Sequence, residues 1–179
     1  EDGVTLVCRT IGSPVGFLSV TCQDGFLTGL SFAKPSCIDL YSPEPNRSNT
    51  NSDLLLLDAV IDQLEKYFSG KLDRFSVPTL LSGTRFQRKV WFEMNEIPYG
   101  HTRTYSQIAN AVNSPRAARA VGNACAANPI AIIVPCHRVV AANGMGGYGG
   151  GIAAKRWLLT LEENGLPPPW VNSLSEEPI

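Results

Sequence analysis

Three short runs rich in β-branched and aromatic residues open the chain, at positions 4–10, 16–22 and 26–32. Turn-forming sequences separate these runs, namely Gly12-Ser13-Pro14 and Gln23-Asp24-Gly25. Runs of this length bounded by turn residues are typical of β-strands. The pattern therefore predicts a three-stranded antiparallel meander.

A helical period follows a polar segment. Residues 42–53 are rich in Pro, Asn and Ser, which predicts a surface loop. Apolar residues then recur at helical spacing, and Gly70 supplies a stop. The recurring residues are Leu57, Val60, Ile61, Leu64 and Phe68. Strands covered by one helix predict a small α/β domain over residues 1–76, and residues 77–83 are expected to form a linker.

Two capping boxes open helices in the second half of the chain. Thr84 with Gln87 predicts a helix that ends near Glu96, and Thr104 with Gln107 predicts a shorter helix through Ile108 and Val112. In a capping box the two side chains satisfy backbone N–H groups that the first helical turn leaves free. These are the clearest helix starts in the sequence.

A third helix is expected directly after the second. Ser114 as N-cap and Pro115 at the first helical position predict a helix that runs to about Ala127. Two short helices joined by so tight a turn indicate a helix-turn-helix, although an ordinary helical hairpin has the same spacing. Small residues and two arginines fill the third helix, which predicts a flat exposed face with Arg116 and Arg119 projecting from it.

Charge is unevenly distributed along the chain. The formal net charge is −1, yet residues 84–163 carry 9 basic and 4 acidic side chains, whereas residues 1–83 carry 6 and 10. A basic half on a nearly neutral protein is compatible with a polyanion bound on one side. Unequal halves also occur without such a partner.

Hydropathy and cysteine usage exclude several classes of protein. No apolar run reaches the length of about eighteen residues that a transmembrane helix needs, and no secretory signal is expected near the start. The 5 cysteines form no C-x-x-C pair, and with only 2 histidines a zinc site would need widely separated ligands. We expect reduced thiols, no metal, no membrane contact and a cytoplasmic location, or a nuclear one in a eukaryote.

Cys136 stands in an apolar run that two basic side chains follow at once. Residues 130–140 read Ile-Ala-Ile-Ile-Val-Pro-Cys-His-Arg-Val-Val, which predicts an apolar strand that leads to Cys136. A lone cysteine in such a run is usually a buried, inert thiol. Burying His137 and Arg138 beside it is unfavourable unless each has a partner, which favours a chemical role for the cluster.

A carboxylate and a glycine-rich segment complete this candidate site. The helix predicted over residues 152–163 carries Glu162, which can orient His137. Cys–His–Glu is the series of nucleophile, base and orienting group that generates a thiolate near neutral pH. Residues 144–151 are mostly glycine around Tyr148, which lets a planar ligand approach the backbone closely; a flexible connector is the other interpretation.

Several of these motifs occur together in one known family. They are Pro135-Cys136-His137-Arg138-Val139, the preceding Asn128-Pro129, the segment Arg116–Gly122 and Tyr148-x-Gly150-Gly151. The sequence resembles the O6-alkylguanine-DNA alkyltransferases, also called methylated-DNA–protein-cysteine methyltransferases. The resemblance implies an α+β fold, with a small ribonuclease-H-like N-terminal α/β domain. A mostly helical, DNA-binding and alkyl-acceptor domain with a helix-turn-helix would follow over residues 84–165, and residues 166–179 would form a tail.

The resemblance implies DNA repair by direct reversal. An alkyl group, chiefly methyl, would pass once and irreversibly from O6 of guanine, or less readily from O4 of thymine, to Cys136. His137 would take the thiol proton through a water, and Glu162 would hold His137. Tyr105 would assist proton transfer to the departing guanine. No cofactor is implied, and the expected partner is double-stranded DNA carrying O6-alkylguanine, bound by a monomer.

The resemblance also implies residues that hold the base and the duplex. The substrate-binding positions would be Asn128, Val139, Tyr148, Gly149 and Gly150. The DNA-binding positions would be Arg119, Gln87, Ser106, Ser114 and Ala118. Arg119 would fill the space that the flipped base leaves, with its helix in the minor groove, and Arg138 would be structural through an internal ion pair. Gly149 departs from the family pattern, because many members carry serine or alanine there.

Other functions share part of this pattern. Relatives that bind the lesion without repairing it replace the acceptor cysteine, which is present here as Cys136. A helix-turn-helix regulator that senses alkylation through Cys136 would bind a specific operator as a dimer, although the helix lacks the Asn and Gln side chains typical of major-groove recognition. A cysteine hydrolase with a Cys–His–Glu triad would show turnover.

Overall fold

The computed structural model describes residues 6–33 and 50–168. Within these ranges the strands β1 (Leu6–Ser13), β2 (Gly16–Gln23) and β3 (Phe26–Phe32) form an antiparallel sheet in the order β1-β2-β3. Asp24 and Gly25 close the second hairpin with φ angles of 52° and 81°, the left-handed conformation that a two-residue hairpin turn favours. The predicted meander is confirmed, although Gly12 and Ser13, which were expected in the first turn, are the last paired residues of β1.

Helix α1 (Thr50–Phe68) covers one face of this sheet. Its residues Leu57, Val60 and Leu64 are buried at helical spacing in the same core as Leu18 and Leu30 of the sheet. Burial of aliphatic side chains on this scale is the main stabilising contribution to the fold. The helical period of the sequence is thus confirmed.

The start of α1 corrects one expectation. Residues 50–53 were expected to lie in a surface loop, but they form the first turn of the helix. The buried carboxylate of Asp53 accepts hydrogen bonds from the backbone N–H groups of Asp24, at 3.2 Å, and Gly25, at 2.7 Å. Asp53 therefore ties the helix to the hairpin. Residues 42–49 of the predicted loop lie outside the described residues.

Four further helices follow: α2 (Arg85–Asn95), α3 (Tyr105–Ala111), α4 (Ala118–Ala126) and α5 (Ile152–Asn164). The two-residue strands β4 (Arg103–Thr104) and β5 (Val139–Val140) pair in parallel. Both capping boxes are confirmed, at the starts of α2 and α3, with all four expected hydrogen bonds present. Among the described residues, no helix combines the length and the apolar character that crossing a membrane requires.

Helix α4 begins later than the sequence indicated. Residues 114–117 form a turn in which the N–H of Ala117 donates to the carbonyl of Ser114 at 2.8 Å, and α4 starts at Ala118. Proline after serine also favours the second position of a β-turn, and that preference prevails here. Arg116 therefore lies outside the helix. Helices α3 and α4 still pack against each other across a short connection, as a helix-turn-helix requires.

The apolar run before Cys136 is a buried turn rather than the predicted strand. Ile130 forms a bridge with Leu30 of β3, but residues 131–134 turn back, and the N–H of Val134 donates to the carbonyl of Ile130 at 3.0 Å. The run is apolar because protein surrounds it. Periodicity cannot distinguish a buried turn of this kind from a buried strand.

The edge of β3 joins the two halves of the chain. Backbone hydrogen bonds of 2.8–3.0 Å link Leu30 to Pro129 and Ala131, and link Leu27 to Pro78 and Leu80. The segment expected to be a linker therefore lies along β3. These bonds fix the chain that leads to Cys136 against the N-terminal sheet.

Candidate active site

Cys136 begins a 3₁₀ turn, Cys136–Arg138, between the buried turn and β5. The residue is 8% exposed, so the thiol is nearly enclosed. Asn128 braces the approach: its Nδ2 donates to the carbonyl of Val134 at 2.8 Å, and its Oδ1 accepts from the N–H of Ile130 at 3.1 Å. Ile132 has φ 69°, which is strained for a β-branched residue. The bonds of Asn128 help to hold that conformation.

Behind Cys136, three side chains form a buried charged cluster. Nε2 of His137 lies 2.7 Å from Oε1 of Glu162. Arg138 donates to both carboxylate oxygens of Glu162, at 2.9 Å from Nε and 3.0 Å from an Nη, and its other Nη donates to the carbonyl of Ile97 at 2.7 Å. Each group that the sequence places here has a partner, and the internal ion pair expected for Arg138 is confirmed.

Two further donors converge on Glu162. The hydroxyl of Tyr67, from the last turn of α1, donates to Oε1 at 2.6 Å, and the N–H of Gly100 donates to Oε2 at 3.1 Å. Burial raises the pKa of the Glu162 carboxyl, but the hydrogen bonds and charges of His137 and Arg138 outweigh burial and hold the pKa below its ordinary value. Glu162 is therefore an ionised, fully engaged carboxylate.

The Cys136 thiol and the His137 imidazole are both neutral at rest. Burial raises the pKa of the Cys136 thiol, against a hydrogen bond from Asn128 and the charge of Lys155. Burial also lowers the pKa of His137, against its bond to Glu162. With Nε2 directed at the carboxylate, Nδ1 of His137 is left buried and without a partner among the described residues. A proton acceptor therefore lies next to the thiol in sequence and shares its buried environment.

A chain of cavities leads from the surface to Cys136. A cavity of about 360 Å³ is lined by Cys136, Cys125, Ala126, Tyr148 and Gly149 together with Tyr105, Gly122 and Gly147. The last three also line a more open cavity of about 490 Å³ that contains Ser106, Ala118 and Arg119. Asn128 and Cys136 line a third cavity of about 200 Å³ on the side of β3. The volumes of the first two suit a small planar ligand.

Two tyrosines form the walls of the inner cavity. The hydroxyl of Tyr148 is buried without a partner among the described residues, although its ring packs edge-on against Phe32 at 5.5 Å. Gly146 has φ 72°, and a Cβ there would lie 2.6 Å from the hydroxyl of Tyr105. Glycine is therefore needed for the loop to pass over Tyr105. An unpaired buried hydroxyl at a cavity wall is suited to bind a ligand atom.

A buried lysine organises the loop over this cavity. Nζ of Lys155 donates to the carbonyls of Val139 at 2.7 Å, Met145 at 2.5 Å and Gly147 at 3.1 Å. Burial lowers the pKa of Lys155. Its side chain thus fixes the glycine-rich loop and places a cationic group in the surroundings of Cys136.

Two family models together match almost the whole described chain. The model described as 6-O-methylguanine DNA methyltransferase, DNA binding domain, matches residues 85–164, and the one described as 6-O-methylguanine DNA methyltransferase, ribonuclease-like domain, matches residues 6–81. The chain belongs to the 6-O-methylguanine DNA methyltransferase family.

Individual relatives agree with this family. A methylated-DNA–protein-cysteine methyltransferase of Mycobacterium bovis is 46% identical over 160 residues, which cover 89% of this chain and 93% of the relative. The structure of Mycobacterium tuberculosis OGT in complex with DNA matches with a TM-score of 0.78 and 43% identity, over 94% of this chain and 99% of that one. An O6-methylguanine DNA methyltransferase from Methanococcus jannaschii matches with a TM-score of 0.60 and 29% identity, over 87% and 93%. The α+β class is confirmed.

The structure brings together most residues that the family resemblance suggested. His137 and Glu162 are hydrogen-bonded, Cys136 precedes His137 in the same 3₁₀ turn, and Tyr105, Tyr148, Gly149 and Asn128 line the cavities around the thiol. Arg119, Ala118 and Ser106 share the outer cavity. Within residues 6–33 and 50–168, no group of three or more His, Cys, Asp or Glu side chains is placed to hold a metal ion.

Other suggested residues lie elsewhere. Val139 is fully buried and outside the cavity lining, and its carbonyl accepts from Lys155. Gly150 packs against Phe32, where a Cβ would lie 2.4 Å from the ring. The side chain of Gln87 is engaged in the capping box of α2, and Ser114 lies in the turn before α4 rather than at its N-cap.

Sequence reasoning missed Tyr67, Lys155 and Cys125. Tyr67 continues the apolar period of α1, so the sequence gives it the pattern of an ordinary core residue. Lys155 precedes Glu162 by seven residues and therefore shares its helix face, a signal that was present in the sequence. For Cys125 the sequence predicts only a reduced, buried thiol, yet this residue lines the inner cavity with Cys136.

Proposed function

We propose that this protein repairs alkylated DNA by transferring an alkyl group from O6 of guanine in a duplex to the sulfur of Cys136. Its membership in the family gives the coarser statement, a methylated-DNA–protein-cysteine methyltransferase that acts on DNA in repair. The finer statement concerns the acceptor, the extrusion of the base and the single use of each molecule.

One observation carries the assignment of Cys136. The cavity that contains the thiol adjoins the cavity that contains Arg119, and the two share Tyr105, Gly122 and Gly147. A base that enters beside the small residues of α4 would therefore reach the sulfur without crossing packed protein. Cys125 lines the same inner cavity, but burial raises the pKa of its thiol to about 12, and no free imidazole follows it in the chain.

The transfer step is a direct displacement. The sulfur of Cys136 forms a bond to the alkyl carbon while the bond between that carbon and O6 breaks, and the electron pair of the broken bond goes to the guanine. The thiol proton passes to Nδ1 of His137 by way of a water, and the departing guanine takes a proton at a ring nitrogen from the Tyr105 hydroxyl. The imidazolium then gives up its proton through water, which restores the Tyr105 hydroxyl and neutral His137. Ionised Glu162 stabilises the imidazolium that forms transiently.

Enclosure of the thiol supports base flipping. O6 of guanine lies within the stacked duplex, and Cys136 lies below the protein surface, so the two atoms meet only if the nucleotide is turned out. Arg119, which is exposed on α4 at the outer cavity, is placed to occupy the vacated space. The small residues Ala118 and Gly122 allow the helix backbone to approach the minor groove closely.

Cationic side chains outside the cleft support binding to the phosphate backbone. A groove of about 410 Å³ between α2 and the end of α3 is lined by Arg85, Arg88 and Lys89. All three are exposed, and none forms an ion pair within the described part of the chain. Such groups supply much of the affinity for duplex DNA.

The chemistry predicts one event per protein molecule. The product is a thioether, which lacks the good leaving group that would let water restore the thiol. O4-alkylthymine offers the sulfur the same kind of alkyl carbon–oxygen bond, but on a base with one ring instead of two, so it is expected to react less readily. A cysteine hydrolase, by contrast, would release its product and turn over.

Intact-mass measurement after mixing with an O6-methylguanine duplex tests this proposal, followed by peptide mapping. We expect a gain of one methyl group, located on Cys136 and saturating at one per protein. Cys125→Ala is the matched control, since it removes the other thiol of the cavity and should still be methylated. Methylation that persists in Cys136→Ala, or repeated turnover without modification, would overturn the assignment.

A further inference from the structure

Tyr67 connects the N-terminal helix to the buried charged cluster. It lies in the last turn of α1, is fully buried, and donates its hydroxyl to Oε1 of Glu162 at 2.6 Å. The same hydroxyl lies 3.4 Å from Nε2 of His137. The N-terminal α/β part therefore contributes one polar atom, the Tyr67 hydroxyl, to the surroundings of His137.

Packing alone does not explain the hydroxyl. The ring of Tyr67 contacts Phe68, Phe75 and Tyr99, with ring centroids 5.2–6.2 Å apart, and phenylalanine would make the same ring contacts. Burial, followed by the charge and hydrogen bond of Glu162, raises the pKa of Tyr67 well above its ordinary value. The group is therefore a neutral hydrogen-bond donor throughout the working pH range.

The hydroxyl shares an oxygen with the histidine. Oε1 of Glu162 accepts from His137, from an Nη of Arg138 and from Tyr67, whereas Oε2 accepts from Nε of Arg138 and from Gly100. A carboxylate oxygen has about two lone-pair sites, so three donors at Oε1 compete for its charge. Tyr67 thereby sets both the orientation of the carboxylate and the strength of its bond to His137.

We propose that Tyr67 is a positioning residue for alkyl transfer: its hydroxyl holds Oε1 of Glu162 so that His137 stays neutral, with Nδ1 free to take the thiol proton. This inference rests on the proposed role of Cys136 as the alkyl acceptor. This role of Tyr67 also gives the N-terminal half a part in the reaction, since the carboxylate that orients His137 has all its donors only when α1 is packed against α5.

Loss of the hydroxyl should make His137 more basic. With one donor fewer, the carboxylate concentrates its charge on the imidazole and stabilises the protonated form. Ionisable groups from three elements and from the adjacent chain surround His137. They are Glu162 and Lys155 on α5, Tyr67 on α1, and Tyr148 in the glycine-rich loop, with Cys136 and Arg138 as the chain neighbours of His137 and Tyr99 beside Arg138. Tyr67→Phe removes the hydroxyl from Oε1 of Glu162 and from its 3.4 Å approach to Nε2 of His137, and it leaves the other groups in place. The bond at 2.6 Å to Oε1 is the shorter of the two contacts, so the expected sign is a higher pKa of His137.

The experiment compares Tyr67→Phe with the unmodified protein in single-turnover reaction with free O6-benzylguanine across a range of pH. We expect the acid limb of the rate profile to move to higher pH by roughly half to one pH unit, with a decrease of about three- to tenfold in the rate constant on that limb. The rates should converge at alkaline pH. Phe68→Leu is the matched control, because it weakens packing on Trp157 without touching Glu162.

A second measurement follows the base directly. The chain has 2 histidines, His101 and His137, so imidazole NMR signals are readily assigned by comparison with His101→Gln. The pKa of His137 should rise in Tyr67→Phe and stay unchanged in Phe68→Leu. If Tyr67→Phe does not fold, 3-fluorotyrosine at position 67 keeps the ring and makes the hydroxyl a stronger donor to Glu162, so the pKa of His137 should fall; an unchanged pKa would overturn the role of Tyr67.

The outcomes separate this inference from the proposed function. An unshifted rate profile with an unshifted His137 titration in folded Tyr67→Phe would overturn the role of Tyr67. A shift equal to that of Phe68→Leu would assign the effect to packing and also overturn it. Failure of the unmodified protein to methylate Cys136 would instead overturn the proposed function, and the NMR titration would still test the contact.

Discussion

At the scale of single residues, Glu162 is the point on which the site depends. Its side chain is fully buried, and the carboxylate accepts hydrogen bonds from four residues, Tyr67, Gly100, His137 and Arg138. Removing one member of a buried ion pair leaves the other charge without compensation, which is more unfavourable than replacing the whole pair by apolar groups. Glu162 therefore has a structural role through Arg138, beside the chemical role proposed for it through His137.

Glu162→Gln is expected to lower the free energy of unfolding by about 3–5 kcal/mol, since Arg138 would remain buried without a counter-charge. Urea denaturation measures the change. Asp62→Asn is the control, because it removes an exposed ion pair with Lys66 and should change stability by less than about 0.5 kcal/mol. Equal small changes in both variants would contradict the buried ion pair as a source of stability.

At the scale of elements, the late start of α4 gives Arg116 and Arg119 different surroundings. Arg119 lies on the helix at the outer cavity, whereas Arg116 lies in the turn of residues 114–117 and outside that lining. A side chain that takes the place of the extruded base in the stack, the wedge role proposed for Arg119, must be held by a rigid element. A residue in a turn, such as Arg116, is better suited to contact a phosphate. The two positions therefore form a natural pair for mutagenesis.

Arg119→Ala should slow repair of O6-methylguanine in a duplex by at least about tenfold, while reaction with free O6-benzylguanine changes little. The physical reason is that the extruded base is no longer replaced in the stack, and unstacking costs a few kcal/mol. Single-turnover rates on both substrates give the ratio of duplex repair to reaction with free O6-benzylguanine. Arg116→Ala should lower duplex affinity without changing that ratio, and equal losses on both substrates in Arg119→Ala would contradict the wedge.

At the scale of the whole molecule, a net charge of −1 conceals a divided surface. The cationic groove of Arg85, Arg88 and Lys89 lies at the C-terminal end of α3, and the outer cavity lies at its N-terminal end. A helix of seven residues is about 10 Å long, so a duplex that covers the cavity can extend to the groove. Local charge rather than net charge decides the partner here.

Replacing Arg88 and Lys89 by alanine should reduce the slope of log affinity against log salt by about one for each side chain, uniformly across DNA sequences. Titration of a duplex at several salt concentrations measures the slope, and the rate with free O6-benzylguanine should stay unchanged. Lys66→Ala on α1, whose ammonium pairs with Asp62, is the control. An unchanged slope in the double variant would mean that the DNA backbone does not contact Arg88 and Lys89.

The sequence anticipated the elements whose signals are local. The meander, both capping boxes and the helix with Glu162 depend on residues within a few positions of one another, and each was found where it was expected. The errors concern sequences with two local solutions. Ser114-Pro115 suits a helix start or a β-turn, and the apolar run 130–134 suits a buried strand or a buried turn. Packing against β3 and α3 selected between them.

The sequence by itself determined the candidate site, because Cys136, His137 and Arg138 are adjacent and the burial of His137 and Arg138 requires partners. It also supplied Glu162 at helical spacing as one such partner. The tertiary structure alone decided that Tyr67, 70 residues before His137, completes the cluster. It also decided that Lys155 fixes the loop through three backbone carbonyls. Contacts of this kind depend on how α1 and α5 pack together. No local sequence pattern predicts that packing, because the two helices are far apart along the chain.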